Sequence, residues 1–105
     1  MDAEFWLNGI CFKWDRKKAT SNLRDHHIAF ELACEVFFDP FIRWLSSEMV
    51  DREERETVVG LTTGWSLVVV AHVERGESIR IISARPASAQ ERKTYDDQWS
   101  AQAAS

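Results

Sequence analysis

Residues 56–83 read ETVVGLTTGWSLVVVAHVERGESIRIIS, and this stretch decides the fold of the chain. It contains three β-rich runs, 56–61, 65–73 and 78–83, which are separated by the short connections Thr-Thr-Gly and Glu-Arg-Gly-Glu. Short connections that contain glycine are typical of antiparallel neighbours, so the stretch predicts an antiparallel meander. Residues 67–70 are apolar at every position, and we expect them to form the central strand, covered on both faces.

Two helices are predicted before the meander. Asp15 is a suitable N-cap for a polar, helix-favouring run at 16–26. A second run has the apolar spacing of an amphipathic helix, at Phe30, Ala33, Cys34 and Phe37. Asp39-Pro40 ends it, because the residue before a proline disfavours the α region. A further β-rich run at 41–45 then leads into the meander.

The two ends of the chain each add one element. Residues 5–14 mix aromatic and β-branched residues around Asn8-Gly9, which predicts one bent strand or a short hairpin. Ser88 and Glu91 form a capping box that opens a third helix to about residue 99, and we expect a frayed tail over 99–105. The predicted order β-α-α-β-β-β-β-α describes an α+β domain whose antiparallel sheet packs against two N-terminal helices, with a C-terminal helix.

Length and composition indicate a single domain over residues 1–105. The chain is 45% apolar, and its five Trp and six Phe supply enough large side chains for one core. Its start is acidic where a secretory signal needs positive charge, and its longest purely apolar stretch, 67–71, is far too short for a membrane span. Cys11 and Cys34 have neither disulfide-framework nor zinc-ligand spacing. We therefore expect a cytoplasmic protein with reduced cysteines and no membrane contact, metal or other cofactor.

The charges are distributed unevenly. A net charge of −4 argues against simple nonspecific binding of nucleic acid. Lys and Arg nevertheless concentrate at 13–24 and 75–93, whereas acidic residues concentrate at 48–56. The acidic segment, or the region of Trp44, is a candidate surface for a protein partner. Direct DNA binding by this chain alone is disfavoured, because no predicted helix carries a dense basic face.

His26 is the candidate for proton transfer. Lys18, Asn22 and His26 recur at four-residue intervals and therefore lie near one face of the first helix. An imidazole beside cations can move a proton near neutral pH, as RNA cleavage requires. A solvated helix face explains the same pattern, and the residues alone leave both interpretations open.

A metal site is disfavoured. His27 and Glu31 have the i, i+4 spacing of a helical metal pair, but two ligands are weak evidence and no third ligand is near in sequence. The chain also contains no Gly-rich phosphate loop, G-x-S-x-G elbow, Walker sequence or H-E-x-x-H. These absences exclude the commonest nucleotide-binding, esterase and metalloprotease interpretations.

Three arginines are candidates for holding a phosphate. Arg80 and Arg85 flank the end of the last predicted strand, and Arg55 begins an earlier strand of the same sheet. Guanidinium groups that converge there would bind a phosphate bidentately and stabilise its negative charge. Salt bridges with the glutamates of the 53–56 segment explain the same arginines equally well.

Tryptophan side chains can stack on RNA bases, although such residues more often belong to a core. The candidates are Trp14, Trp44, Trp65 and Trp99. We expect an exposed role only for Trp14, because the cationic helix follows it directly.

Several segments resemble the BrnT toxins. In the first half these are Phe12-Lys13-Trp14-Asp15 with Lys18 and Asn22, then His26, Phe30-Glu31 with Ala33, and Asp39-Pro40. In the second half they are Glu54-Arg55, Gly60, Val68-Val69-Val70 with His72, and IRIISAR at 79–85 with Ala87, Glu91, Arg92 and Tyr95. The resemblance covers about residues 11–96, and IRIISAR is its most specific part.

The resemblance implies a RelE-like fold and the toxin of a bacterial type II toxin–antitoxin system. Such a toxin is expected to be a metal-independent endoribonuclease that cleaves messenger RNA, free or on the ribosome, and so arrests growth. A BrnA-like antitoxin is expected to neutralise it, and DNA would be contacted only through the DNA-binding part of that antitoxin. A dimer of toxin–antitoxin heterodimers is one assembly that the resemblance allows.

The resemblance to this family implies catalytic roles for His26, Arg55 and Arg85. In such nucleases the 2′-hydroxyl attacks the adjacent phosphate, so the protein needs only to move protons and stabilise negative charge. We assign proton transfer to His26 and binding of the scissile phosphate to Arg55 and Arg85. The RNA strand would be guided by Trp14, Lys18 and Arg80. These groups are expected to meet at one concave spot.

Some positions depart from the family pattern and support an alternative function. Asp25 replaces a usual Lys, His27 a usual Gly, and Ala29 a usual Ser-type N-cap, while residues 1–10 look like an extension. The missing cap costs about 1 kcal/mol. The alternative is a noncatalytic or attenuated module that retains the fold to bind an antitoxin-like partner in operon regulation.

Overall fold

The computed structural model describes the backbone of residues 1–103 and the side chains of residues 1–97. Its elements are β1 (Asp2–Leu7), β2 (Ile10–Asp15), α1 (Arg16–His26), α2 (Phe30–Ala33), a 3₁₀ helix (Cys34–Phe38), β3 (Arg43–Val50), β4 (Glu53–Leu61), β5 (Leu67–Arg75), β6 (Ser78–Pro86) and α3 (Ala89–Ala103). None of the described helices has the length and apolar character that crossing a membrane requires.

The strands form one mixed six-stranded sheet in the order β1-β2-β6-β5-β4-β3. The predicted meander is confirmed, since β4, β5 and β6 pair antiparallel. β2, however, pairs parallel with β6, with Cys11 beside Ser78 and Lys13 beside Arg80. The prediction of an antiparallel sheet is therefore wrong. Turn signals indicate only hairpin neighbours, whereas β2 and β6 come from distant parts of the chain and meet through a crossover that no local pattern marks.

β5 lies between β4 and β6 and is covered on both faces, as its apolar run predicts. Val68 and Val70 belong to the core beneath α1 and α2, on the side that we call the first face. Leu67 and Val69 belong to a smaller core with Tyr95 of α3, on the second face. The prediction that an antiparallel sheet packs against two N-terminal helices is therefore wrong. The sheet is mixed, and helices cover both of its faces.

The second predicted helix is shorter than its apolar spacing suggests. α2 contains four residues, and the chain continues as a 3₁₀ helix to Phe38. Within that 3₁₀ helix, Val36 packs directly on the backbone of β4, where a Cβ on Gly60 would lie 2.7 Å from the Val36 Cβ. Only glycine permits such a close approach. Packing on β4, rather than helical periodicity, therefore sets the geometry of this segment.

The predicted helix starts are confirmed. Asp15 Oδ2 accepts a hydrogen bond from the N–H of Lys18 at 3.0 Å, and α1 covers the predicted range. In the capping box, Glu91 Oε1 accepts from the N–H of Ser88 at 2.9 Å and Ser88 Oγ accepts from the N–H of Glu91 at 3.2 Å. α3 continues to Ala103, beyond its predicted end at about residue 99. The fraying predicted for 99–105 stays a prediction.

The N-terminal segment is a hairpin, one of the two predicted alternatives. β1 and β2 pair antiparallel around Asn8 and Gly9, whose φ angles are 49° and 82°. Two successive positive φ angles are those of a type I′ turn, which suits the twist of a hairpin. β1 thereby becomes an edge strand of the sheet.

Asp39 joins three elements at the end of the 3₁₀ helix. Its Oδ1 accepts a hydrogen bond from the N–H of Phe41 at 2.9 Å, and its Oδ2 accepts from the N–H of Leu61 at 2.8 Å and from the hydroxyl of Tyr95 at 2.6 Å. Burial raises the pKa of Tyr95, and the Asp39 carboxylate raises it further. The Tyr95 hydroxyl thus stays protonated and docks α3 on the second face.

Candidate functional site

Asn22 fixes α1 against the sheet. Its side chain is buried; its Nδ2 donates to the carbonyl oxygen of Ile28 at 2.9 Å, and its Oδ1 accepts from the N–H of Ala84 in β6 at 3.0 Å. Asn22 therefore has a structural role on the helix face predicted for Lys18, Asn22 and His26. Because it lies between Lys18 and His26 along the helix, it also fixes their position over β6.

Lys18 and His26 line a shallow depression of about 260 Å³ between α1 and β6. Ser21 and Asp25 contribute to its rim, and Ile82 contributes from the sheet. Ile82 is the extra residue of a β-bulge in β6, and bulges commonly redirect a strand side chain. The fold thus brings an ammonium group, a hydroxyl and an imidazole to one place, as the four-residue intervals of Lys18, Asn22 and His26 predict.

A carboxylate stands beside the imidazole. Asp25 Oδ1 accepts a hydrogen bond from Arg24 Nε at 2.9 Å. This hydrogen bond lowers the pKa of Asp25, and the charges of Arg24 and then His26 lower it further. Asp25 is therefore ionised at neutral pH and places a negative charge on the rim.

Arg55 and Arg80 lie on the second face of the sheet, away from α1. Side chains alternate along β4, which places Arg55 on the same side as Val59 of the second-face core. Arg80 neighbours Lys13 across strands and donates hydrogen bonds to both carboxylate oxygens of Asp2, at 2.9 and 3.0 Å. Its side chain is only 19% exposed. The sequence left open whether Arg80 holds a phosphate or forms a salt bridge. In the structure Arg80 forms a salt bridge, and its partner, Asp2, belongs to β1.

Three arginines share one region of the second face. Arg75 donates to both carboxylate oxygens of Glu53, each at 2.7 Å. This hydrogen bonding lowers the pKa of Glu53, and the charges of Arg55 and Arg80 add to the effect. Arg55 and Arg80 are therefore close enough to act on the same carboxylate.

Arg85 lies on the second face near the other end of β6. It neighbours Val69 of the second-face core and donates to both carboxylate oxygens of Glu91, at 2.7 and 2.8 Å. The hydrogen bond from Arg85 is the main reason that the pKa of Glu91 is lowered to about 2. Arg85 thus links β6 to the capping box of α3, while 44% of its side chain remains exposed.

The fold does not bring the predicted imidazole and arginines to one concave spot. His26 belongs to α1 on the first face, whereas Arg55, Arg80 and Arg85 lie on the second. Alternation along β6 directs Ile81 into the first-face core and Arg80 to the opposite side. The prediction that His26 and the three arginines meet at a single site is therefore wrong. The assignment of roles to these four residues stays a prediction.

The expectation of an exposed Trp14 is wrong. Its side chain is 4% exposed and packs against two phenylalanine rings of the first-face core. The cationic helix begins only after β2, and Trp14 still belongs to the inward-facing positions of that strand. Trp44 and Trp65 are exposed, at 55% and 82%, while the side chain of Trp99 lies outside the described residues.

A larger depression, about 520 Å³, continues from His26 around the end of the sheet; we call it the end groove. Its lining includes His26, His27, Trp65, Pro86 and Arg92. The sequence predicted neither a binding function for Arg92 nor an exposed side chain for Trp65. The available signal was the Thr-Thr-Gly connection before Trp65, because the tip of a hairpin projects into solvent.

His72, which the resemblance includes, is a core residue. It is 2% exposed and contacts the ring of Phe37 edge-to-face at a centroid distance of 4.9 Å. Among the described residues, its Nδ1 has no hydrogen-bond partner. Burial lowers the pKa of His72, so the imidazole is neutral and takes no part in the candidate site.

Comparison with known proteins places the chain in a family. The family described as "Ribonuclease toxin, BrnT, of type II toxin-antitoxin system" matches residues 14–91, so β1 and most of β2 precede the match. A crystal structure of the Brucella abortus ribonuclease toxin BrnT aligns with a TM-score of 0.48 and 21% sequence identity, over 71% of this chain and 92% of that chain. No curated protein matches the chain. On the family match, this chain belongs to the BrnT ribonuclease toxins of type II toxin–antitoxin systems.

Proposed function

We propose that this chain cleaves RNA without a metal ion and that cleavage takes place at the depression around Lys18 and His26. One observation carries the proposal: among the described residues, His26 lines both this depression and the end groove. An RNA strand that follows the two depressions would therefore pass directly over the imidazole.

The reaction is an internal transfer at phosphorus. The 2′-oxygen forms a bond to the adjacent phosphorus and the bond to the 5′-oxygen breaks, which leaves a 2′,3′-cyclic phosphate and a 5′-hydroxyl. His26 accepts the proton of the 2′-hydroxyl, and the imidazolium that results, or a water molecule, returns a proton to the leaving 5′-oxygen, a contribution of about 10²- to 10⁴-fold. Lys18 stabilises the negative charge that develops on the phosphate oxygens.

The arginines contact the RNA outside the reacting phosphate in this proposal. Arg85 precedes Pro86, which lines the end groove, and so it lies at the groove's border with the second face. Arg55 and Arg80 would contact the strand farther along that face, Arg80 by exchanging its pairing with Asp2 for a phosphate. The substrate class that we propose is messenger RNA, because a ribonuclease that cleaves messenger RNA stops translation and so arrests growth.

Membership of a type II family implies an antitoxin partner. We propose a BrnA-like antitoxin that covers the edge strand β3, where Trp44 and Met49 are 55% and 68% exposed. Glu48 lies between them on this strand and adds negative charge for a basic partner. The chain would contact DNA only through that antitoxin.

The test uses purified chain, RNA and EDTA. We expect cleavage that leaves 2′,3′-cyclic phosphate ends, a loss of about 10²- to 10⁴-fold in His26→Ala, and a smaller loss in Lys18→Ala. Lys93→Ala is the matched control, since Lys93 is an exposed cation on α3 that pairs with Asp97 at 3.0 Å. Cleavage by His26→Ala at the wild-type rate would show that His26 is not the proton-transfer group. RNA left intact by the wild-type chain, together with binding of the antitoxin, would favour the noncatalytic module.

A further inference from the structure

We propose that Trp65 and Arg92 form a nucleotide-binding subsite in the end groove, where Trp65 stacks on an unpaired RNA base and Arg92 binds an adjacent phosphate. The inference rests on the proposed ribonuclease function and deepens it, because it names where the substrate is held beside His26. Four features of the groove support it.

The first feature is the unusual backbone of Trp65. Its φ angle is 66°, a left-handed conformation that bulky residues rarely adopt. The loop holds it there: the N–H of Trp65 donates to the carbonyl of Thr62 at 3.0 Å, and the N–H of Thr62 donates to the carbonyl of Ser66 at 2.9 Å. Strain of this kind persists only where the surrounding structure holds it, and it clusters at active sites and ligand-binding loops.

The second feature is the exposure of the indole ring. Trp65 as a residue is 82% exposed, and no ring contact with it occurs among the described residues. A large aromatic surface held in water favours a ligand that covers it. Stacking of an unpaired base does so whatever the base, because every base presents a π-face.

The third feature is the charge of the groove. Although the chain carries a net charge of −4, none of the described residues lining the groove is acidic, and His26, His27 and Arg92 line it. By contrast, the exposed Trp6 donates its indole N–H to Glu4 at 2.9 Å. The charge of the end groove therefore suits a phosphate, and its apolar lining, with Leu32 and Pro86, suits a base.

The fourth feature is continuity with the proposed site of cleavage. The groove reaches His26, which also borders the depression around Lys18. Its volume of about 520 Å³ lies within the range of small-ligand pockets. A base on Trp65 would therefore hold the strand with a neighbouring phosphate at the imidazole.

The experiment measures binding of a labelled single-stranded RNA by fluorescence anisotropy, in a His26→Ala background that preserves the RNA. Trp65→Asn removes the ring and suits the left-handed backbone, while Trp65→Phe keeps an aromatic face. Trp6→Ala removes another exposed tryptophan, which is 63% exposed and lies outside the groove. We expect Trp65→Asn to weaken binding roughly 5- to 150-fold, with Arg92→Gln also weaker, Trp65→Phe near the parent and Trp6→Ala unchanged.

The outcomes separate this inference from the proposed function. If the wild-type chain cleaves RNA and Trp65→Asn binds it like the parent, the subsite is refuted and the ribonuclease proposal stands. If Trp65→Asn weakens binding of the antitoxin but not of RNA, the groove is a protein interface and the subsite is again refuted. If the chain binds RNA through Trp65 but leaves it intact, the subsite stands and the cleavage proposal fails. An absence of any RNA binding overturns both.

Discussion

The side chain of Asn22 provides the hydrogen-bond acceptor that a neighbouring strand would otherwise provide for the backbone N–H of Ala84. β2 pairs with β6 only as far as Lys13 and Arg80. β2 ends two residues later and the chain enters α1, so the N–H of Ala84 donates to Asn22 Oδ1 at 3.0 Å instead of to a strand. A side chain thus completes the hydrogen bonding of β6 where the parallel pairing stops, and it attaches the helix that carries Lys18 and His26.

Replacing Asn22 by Leu should destabilise the fold by about 2–6 kcal/mol. The substitution leaves the buried N–H of Ala84 and the carbonyl of Ile28 without partners, and each unsatisfied group costs about 1–3 kcal/mol. Urea unfolding followed by circular dichroism measures the difference. Thr20→Ala, an exposed change on the same helix, should stay within about 0.5 kcal/mol of wild type. A stable Asn22→Leu variant would mean that water replaces the lost hydrogen bonds.

His27→Gly should stabilise the chain by about 0.5–1 kcal/mol. His27 ends α1 with a φ of 60°, which costs most residues about 1–2 kcal/mol, and the greater flexibility of glycine in the unfolded chain offsets part of the gain. The melting temperature should rise accordingly. His27→Ala keeps the strained backbone and should give no such rise. Equal melting temperatures for the Gly and Ala variants would contradict the strain argument.

The ion pair of Arg85 and Glu91 should make stability depend on pH in the acid range. The folded-state pKa of Glu91 is lowered to about 2 from 4.5, so its contribution is present above pH 4.5 and is lost as the pH falls toward 2. Because Arg85 is partly exposed to solvent, we expect the contribution to be about 1 kcal/mol. Glu91→Gln should lose this contribution, and its unfolding free energy should fall less steeply between pH 4.5 and 2. Parallel pH profiles would show that the pair adds nothing to stability.

His72 should make the protein less stable in mild acid. Burial lowers its folded-state pKa below 6.5, so the unfolded chain binds the proton more readily. The stability associated with the neutral imidazole is complete above pH 6.5 and falls as the pH drops below it, by at most about 1.4 kcal/mol per pH unit. His72→Leu should flatten the profile from pH 6.5 to 5, measured by urea unfolding, whereas His27→Ala, at an exposed histidine, should not. A wild-type profile that is flat there would contradict the burial argument.

Arg55 should contribute to RNA binding and not to the chemical step. If it contacts one phosphate of a single strand, Arg55→Gln should lower the slope of log Kd against log salt by about 0.7. KM should rise while kcat changes little, since Arg55 lies on the face opposite His26. Lys93→Gln removes a cation elsewhere and should leave the slope unchanged. An unaltered slope in Arg55→Gln would confine the RNA to the first face and the end groove.

Local patterns by themselves determined where α1 and α3 begin and which strand is central. Asp15 starts α1 and the Ser88–Glu91 box starts α3, because each involves hydrogen bonds between residues three positions apart. The apolar run at 67–70 predicted burial on both faces, since side chains alternate along a strand. The family resemblance, carried by IRIISAR and the segments around it, was likewise read from the sequence.

Only the tertiary structure decided which side chains meet. The parallel pairing of β2 with β6 sets α1 on the first face, so His26 is separated from Arg80 and Arg85 although all were expected together. The same packing buries Trp14 and leaves Trp65 in solvent. Local hydrogen bonds and periodicity depend on near neighbours in sequence, whereas the face and exposure of a side chain depend on strands and helices brought together from distant positions.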